Sequence, residues 1–343
     1  MFGYRIHSWG SEPVWEEIPD PTPGPGEVLV EVESCSIGLT VLNYIRGNLS
    51  DGEAGLPRVP GHELVGRVVS AGRGSDRSLI GRRIGGYFYL VCGHCPACLQ
   101  GRDAQCANLA GRLGVHSDGG YAPMVAIPQR NAIPLPDELD AISASVVPDA
   151  VSTPVHVAAR AGIREGDRVV VFGAGGGVGI HMIQVAKHFG ATVAGFDVVD
   201  AKLAAIEGLG VTPVESSDIG SIDPGAVFAD GPPTVVVDLL GTQTSLRWSI
   251  DGLDMGGRLV TLTAFRDRPV DMQSREFVFR ELSLLGSRYC SRAELAEAGL
   301  LVASGAVKPI IGHVGGPDEV GEMHDLLEAG ALLGRGALDW SRS

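Results

Sequence analysis

Four cysteines, Cys92, Cys95, Cys98 and Cys106, fall within fifteen residues at intervals of two, two and seven. Four soft thiolates this close in the chain can close a tetrahedron around zinc, and a shell made wholly of protein sulfur leaves no open position for water or substrate. The chemistry expected of them is a structural zinc site. An iron–sulfur cluster is the competing use of such a set, disfavoured by the last interval and by the lack of a second group of cysteines. His94 lies inside the loop and needs no metal role.

A second set of polar residues sits in apolar surroundings. Pro60-Gly61-His62-Glu63 joins a turn to the alternating stretch 64–69, and the pair His62 and Glu63 suits either a site or a plain surface pair. Asp149 falls within the largely apolar run 144–157, where a carboxylate has to be ion-paired, hydrogen-bonded or bound to a metal.

The third set reads as a nucleotide site. Asp167-Arg168-Val169-Val170-Val171-Phe172 is a strand pattern that runs into Gly173-Ala174-Gly175-Gly176-Gly177-Val178-Gly179. Val178, Met182, Val185, Ala186 and Phe189 then recur at helical spacing before 191–196 read as strand again. A βαβ turn of this kind needs glycines because backbone N–H groups must approach a pyrophosphate while the helix starts close beneath it. Gly176 and Gly179 supply the last two positions of a G-x-G-x-x-G pattern; the first falls on Ala174 unless the turn uses Gly173 and Gly175 in a longer loop. Asp197 ends the second strand eighteen residues after Gly179. A carboxylate there takes the two hydroxyls of an adenosine ribose and repels a 2′-phosphate, so NAD(H) is the expected cofactor, with Lys202 able to offset the charge.

These groups need frames to hold them. A chain of 343 residues has room for two domains with separate cores, and its 49 glycines, roughly twice an average share, are spread among turns. Residues 4–32 alternate strand-like pieces with the Pro-rich link 21–26, which suits a largely antiparallel domain. After Asp197 an α/β rhythm continues, with a short helix at 201–209, buried strands at 234–241 and 257–262, and a closing strand at 281–287. A helix from Arg292, a strand at 307–314, a helix at 318–329 and a last strand at 334–340 suit a return to the first domain. The nucleotide domain is then an insertion, and the crevice between domains the expected site. The formal net charge of −14 argues against nucleic acid and anionic membrane as partners. With no leader pattern and no long charge-free apolar segment, a cytoplasmic protein with reduced thiols is expected.

Taken together, Pro60-Gly61-His62-Glu63, the four-cysteine loop, Asp118-Gly119-Gly120-Tyr121, the glycine turn, Asp197, Gly286-Ser287 and Gly334-Arg335-Gly336 resemble the medium-chain dehydrogenase/reductase family, in particular its zinc-containing alcohol dehydrogenases, over essentially the whole chain. The resemblance implies an α/β fold in three pieces: a GroES-like, antiparallel barrel-type catalytic domain at 1–155 with the structural zinc lobe at 89–112, an inserted Rossmann parallel-sheet domain at 156–287, and a segment 288–343 completing the catalytic domain. It implies a homodimer or homotetramer. It also implies a cofactor site made by Gly173, Gly175, Gly176, Gly177, Val178, Gly179, Asp197, Lys202 and Arg335.

Laid on this chain, the family's catalytic zinc pattern puts Gly38 where the zinc-binding cysteine stands, Leu39 at the histidine beside it and Thr40 at the proton-relay hydroxyl, with His62 and Asp149 at the other ligand positions. Glycine has no side chain with which to ligate. Three repairs stay open: a His62, Glu63, Asp149 shell, Cys35 reaching across by a register shift, or a site that works without zinc. Tyr44-Ile45-Arg46-Gly47 and the extra glycine of the turn resemble the quinone reductase branch, which favours the last.

The expected function is an NAD(H)-dependent oxidoreductase moving a hydride between nicotinamide and a carbonyl, an alcohol or an activated alkene, with Thr40, Tyr44, His62 and Asp149 as catalytic residues. Without zinc, Thr40 and Tyr44 are the donors to a carbonyl or enolate. With zinc, the ion is the Lewis acid and Thr40 passes the proton. A zinc-dependent alcohol dehydrogenase with an altered His62, Glu63, Asp149 site, and a dinucleotide-binding protein that lost its chemistry, are the alternatives. Leu39, Leu42 and the loop after Met255 suggest a small, apolar rather than sugar-like substrate, and His116 and His156 are further candidates near the site.

Overall fold

Alternation along Glu27–Ile37 buries Val28, Val30 and Val32 and then gives way to four consecutive buried residues, Ser34 to Ile37. The change marks where a one-sided strand becomes covered on both faces. The computed structural model describes residues 1–48, 55–263 and 272–342. Two compact units divide the chain: Met1–Ser152 with Cys290–Gly305 and Ile311–Ser343, and Thr153–Tyr289 with Ala306–Ile310.

In the first unit, the described residues form a seven-stranded sheet in the order Ile311–Gly315, Arg335–Asp339, Glu27–Ile37, Glu63–Ala71, Arg83–Gly86 and Ala132–Pro134, with Met124–Pro128 also on Glu27–Ile37. All pairs are antiparallel except that between Ile311–Gly315 and Arg335–Asp339. The end of the long strand is therefore flanked twice: Ile37 pairs with Gly336 on one side, and Ser36 with Glu63 on the other. Gly86 closes the strand Arg83–Gly86, where a Cβ would lie 2.9 Å from both the Leu64 and Leu113 side chains.

The second unit is a parallel sheet in the order Thr212–Glu215, Thr192–Asp197, Arg168–Phe172, Val235–Asp238, Arg258–Thr261 and Ser283–Gly286, with the chain running outward from the third strand in both directions. This is the dinucleotide-binding order, and ligands bind at the carboxyl ends of the strands where it reverses. Its strands read as unbroken Val/Phe runs because helices cover both faces. Phe172, Phe196 and Trp248 anchor the core, with ring centroids 4.9 to 5.3 Å apart in edge-on arrangements, and the buried indole donates to Ile222 O at 2.8 Å. Each such ring pair adds about 0.5–1.5 kcal/mol beyond its buried area. The arrangement is α/β, with a GroES-like antiparallel unit and a Rossmann parallel sheet. Among the described residues no helix is long and apolar enough to cross a membrane.

One buried histidine in the first unit makes stability depend on pH. His324 Nε2 lies 2.9 Å from Tyr121 Oη, and burial, with a smaller contribution from Arg46 against Asp325, holds its pKa down to about 4. The unfolded chain takes up this proton near pH 6.5 and the folded chain refuses it until about 4. The stabilisation is complete above pH 6.5 and is lost as pH falls through 4, by up to about 3 kcal/mol. Urea midpoints of wild type and His324→Gln at pH 7 and pH 4.5 check this, the variant being expected to lose less on acidification; equal losses in both would refute it.

Candidate functional site

The glycine turn follows the central strand of the parallel sheet. Its left-handed residue is Gly173, at φ +70°, while Ala174 is buried and donates its N–H to Phe196 O at 3.0 Å. The longer-loop reading of the pattern describes this turn, with Gly173 in the position only glycine takes easily. A side chain at Gly179 would overlap Gly173 O, so the last glycine lets the helix Gly179–His188 begin directly beneath the turn. Asp197, at the end of the neighbouring strand, accepts from Gly175 N at 2.9 Å and from Val198 N at 2.8 Å. Its carboxylate thus holds the turn and faces the switch point together. Lys202 packs its stem against Gly175, within the same cluster.

Cys92, Cys95, Cys98 and Cys106 gather with sulfur separations of 3.5 Å (95–98), 3.6 Å (92–106) and 4.0 Å (95–106), all as free thiols. A tetrahedron with zinc–sulfur bonds of about 2.3 Å has edges of about 3.8 Å, so the donor set suits zinc. Backbone N–H groups of Cys98 and Ala107 pull the Cys95 thiol down to about 6, and burial works weakly against them. Gly93 at φ +77° and the N-terminal proline of the short helix Pro96–Leu99 fold the loop back on itself.

The third cluster lies at the doubly flanked end of Glu27–Ile37. Gly61, at φ +96°, turns the chain so tightly that a Cβ would lie 2.5 Å from Tyr121 and 3.0 Å from Cys35 Sγ. The turn delivers His62, 2 % exposed, with its ring 4.5 Å from that of Phe88. Glu63 follows as the first residue of its strand and is fully buried. Asp149 comes from the π-helical turn Val147–Val151, where the N–H of Val151 reaches back to Val146 O. Pro148 has no N–H to continue an α-helical ladder, and such turns re-aim side chains at functional sites. His62 Nε2 is 3.6 Å from Glu63 Oε1 and 3.7 Å from Asp149 Oδ2.

Arg335, first residue of the closing strand, enters the same cluster. Its Nη2 lies 2.9 Å from Asp149 Oδ2 and 3.0 Å from Glu63 Oε1. Burial pushes the Glu63 carboxyl above its usual range, with Arg335 pulling it down and Asp149 pushing it up.

Residues 24–137 match the alcohol dehydrogenase GroES-like domain and residues 177–304 the zinc-binding dehydrogenase domain. An L-threonine 3-dehydrogenase of Enterobacter sp. (strain 638) is 31 % identical over 340 residues, 96 % of this chain and 97 % of that one. The chain belongs to the medium-chain dehydrogenase/reductase family, with the zinc-type alcohol dehydrogenases. It is an NAD(P)-dependent oxidoreductase of that family. An acryloyl-coenzyme A reductase of Metallosphaera sedula is 28 % identical over 93 % of this chain and 94 % of its own. A solved NAD-dependent alcohol dehydrogenase superposes with a TM-score of 0.89 at 28 % identity, covering 99 % of both chains.

Within this medium-chain dehydrogenase/reductase, the expected site residues distribute unevenly. His62, Glu63 and Asp149 come together, their ligand atoms all within 4.8 Å of one another. Thr40 and Tyr44 lie on the helix Leu39–Ile45, one turn apart, with Thr40 half-buried and Tyr44 buried against the Phe88 ring and under the Arg112 guanidinium. Leu39 is exposed and Leu42 buried. Cys35 Sγ does not join the His62 donors; it is fully buried, its thiol raised by burial, packed where Gly61 and Gly120 leave room. His116 is exposed, and His156 is half-buried on the helix Ser152–Ala161.

Arg335, expected with the cofactor by resemblance, has its guanidinium buried between Glu63 and Asp149, which take its charge. The only sequence signal was the glycine at 38, which frees space for something large. A catalytic zinc, which the family implies, does not fit these residues as they stand. Gly38 offers no ligand, and a divalent ion among the three donors would face a guanidinium of the same sign that already engages both carboxylates.

Proposed function

We propose that this enzyme transfers a hydride between NAD(H) and a carbonyl, an alcohol or an activated alkene, without a cysteine-ligated catalytic zinc, and that its four-cysteine loop holds a structural zinc. The observation that carries the reading is Gly38, which offers bare backbone to the Arg335 guanidinium between Glu63 and Asp149, at the position where the family resemblance expects a thiolate ligand. Support for the breadth of acceptor comes from the relatives, one named for oxidation of an alcohol carbon and one for reduction of an acryloyl group.

When bound, the nicotinamide supplies or takes the hydride. Gly173, Gly175, Gly176, Gly177, Val178 and Gly179 would cradle the pyrophosphate, and Asp197, fixed by the Gly175 and Val198 N–H groups, would accept the ribose hydroxyls and exclude a 2′-phosphate. Thr40 and Tyr44 would donate hydrogen bonds to the substrate oxygen, and His62 would hold or move a proton at Nε2, which is buried and has no hydrogen-bond partner. The cluster draws its charges inward, while Leu39 and Leu42 offer only hydrocarbon, in keeping with an apolar small-molecule substrate. The reading includes a homodimer or homotetramer, to be measured by light scattering, and a cytoplasmic location, where thiols stay reduced for zinc.

The test is turnover of NAD(H) with a panel of enones, quinones, ketones and secondary alcohols, run beside zinc analysis. Turnover with one zinc per chain is expected. Binding of NADH with no turnover would leave a cofactor-binding protein, and two zincs per chain would favour the His62, Glu63, Asp149 metal site.

A further inference from the structure

We propose that the guanidinium of Arg335 occupies the place of a catalytic metal ion in this chain, so that Glu63 and Asp149 hold a built-in organic cation, and that glycine at position 38 is what admits it. The proposal rests on the zinc-free reading above and adds which residue replaces the ion.

Three observations meet at one point. A Cβ built on Gly38 would overlap Nη1 and Cζ of Arg335, so the guanidinium lies against bare backbone and every other residue at 38 would have to displace it. The sheet register brings the two backbones together: Gly336 pairs with Ile37, so Arg335 comes up beside Gly38 by strand pairing. The Arg335 side chain is 5 % exposed and bridges Glu63 Oε1 and Asp149 Oδ2 at 3.0 and 2.9 Å. A buried cation needs paired anions, and two carboxylates left in this interior without one would be strongly disfavoured.

The cluster is also incompletely satisfied. His62 Nε2, Glu63 Oε2 and Arg335 Nε are buried without a hydrogen-bond partner. Orphaned groups of both polarities in one place are uncommon, and they suit a small guest that both donates and accepts, such as an alcohol hydroxyl. A planar guanidinium keeps its charge at every working pH and directs several N–H groups in fixed directions. Charge that a metal would bring as an exchangeable ion is here covalently part of the chain.

The experiment is metal content together with thermal stability, on full-length wild type, Gly38→Ala, Gly38→Cys, Arg335→Lys and the double variant Gly38→Cys/Arg335→Ala, each loaded with excess zinc or cobalt and desalted. Wild type and Arg335→Lys are expected to hold one metal per chain. Gly38→Ala and Gly38→Cys are expected to hold one and to melt lower by about 5 °C or more, since both press on the guanidinium. The double variant is expected to hold two, with a cobalt–thiolate absorption band that wild type shows only from its cysteine loop. Two metals in wild type would overturn the zinc-free reading and this proposal with it. One metal in wild type, with Gly38→Ala melting as wild type does, would overturn the role of Arg335 and leave the zinc-free reading standing. A folded double variant with one metal would do the same. If the double variant does not fold, the melting of Gly38→Ala decides.

Discussion

Asp197→Ala is expected to weaken NADH binding by about 100-fold, read as the dissociation constant from nicotinamide fluorescence. Hydrogen bonds to a charged acceptor contribute about 1.5–3 kcal/mol each, and the proposed pose places two ribose hydroxyls on this carboxylate. The loss has a second source. Asp197 Oδ2 accepts from Gly175 N at 2.9 Å and Oδ1 from Val198 N at 2.8 Å, so its removal also frees the turn that would cradle the pyrophosphate. The two sources separate by comparing Asp197→Ala with Asp197→Asn, which keeps an acceptor for the turn. The asparagine variant should lose less affinity for NADH, and its preference over NADPH should narrow because the repelling charge is gone. Unchanged NADH affinity in the alanine variant, with an unaltered melting temperature, would refute the proposed pose.

Cys98→Ser is the second large effect. The proposed zinc joins the ends of a loop whose regular structure is only the single turns Pro96–Leu99 and Asp103–Gln105. Its core is therefore the sulfur cluster itself, and structural zinc in small modules contributes on the order of 10 kcal/mol of apparent binding energy. Asp103 ties the loop to the rest of its unit by accepting from Arg292 N at 3.1 Å, so melting of the loop should reach beyond it. The expected result is loss of the one zinc and a fall in melting temperature of more than about 10 °C, with fast amide exchange confined at first to residues near the loop. Treatment of wild type with a strong chelator should reproduce it. A wild-type protein that contains no zinc, or a Cys98→Ser protein as stable as wild type, would remove the structural role.

What could be read from the chain alone was local. The cysteine loop spans fifteen residues, and the glycine turn with its acid runs from Gly173 to Asp197, so backbone geometry and spacing within one short segment bring their groups together wherever the segment lies. The parallel sheet was legible for a related reason: strands covered on both faces write themselves as unbroken runs such as Val169-Val170-Val171-Phe172. Residues 62 and 63 are neighbours, and the oddity of a carboxylate at 149 among apolar residues was visible because burying a charge is costly wherever it occurs.

The partner of that carboxylate was not visible. Arg335 and Asp149 are 186 positions apart, and Gly38 and Arg335 meet only because the closing strand adds to the long one in the register that pairs Gly336 with Ile37. A slip of one residue would turn Arg335 to the opposite face of the sheet. Register is settled by packing along the whole strand, not by the identities of the two residues it joins. Sequence by itself determined a thiolate cluster suited to zinc, a nucleotide turn and a glycine at position 38, where the family resemblance expects a ligand; the tertiary structure decided what fills the space beside that glycine.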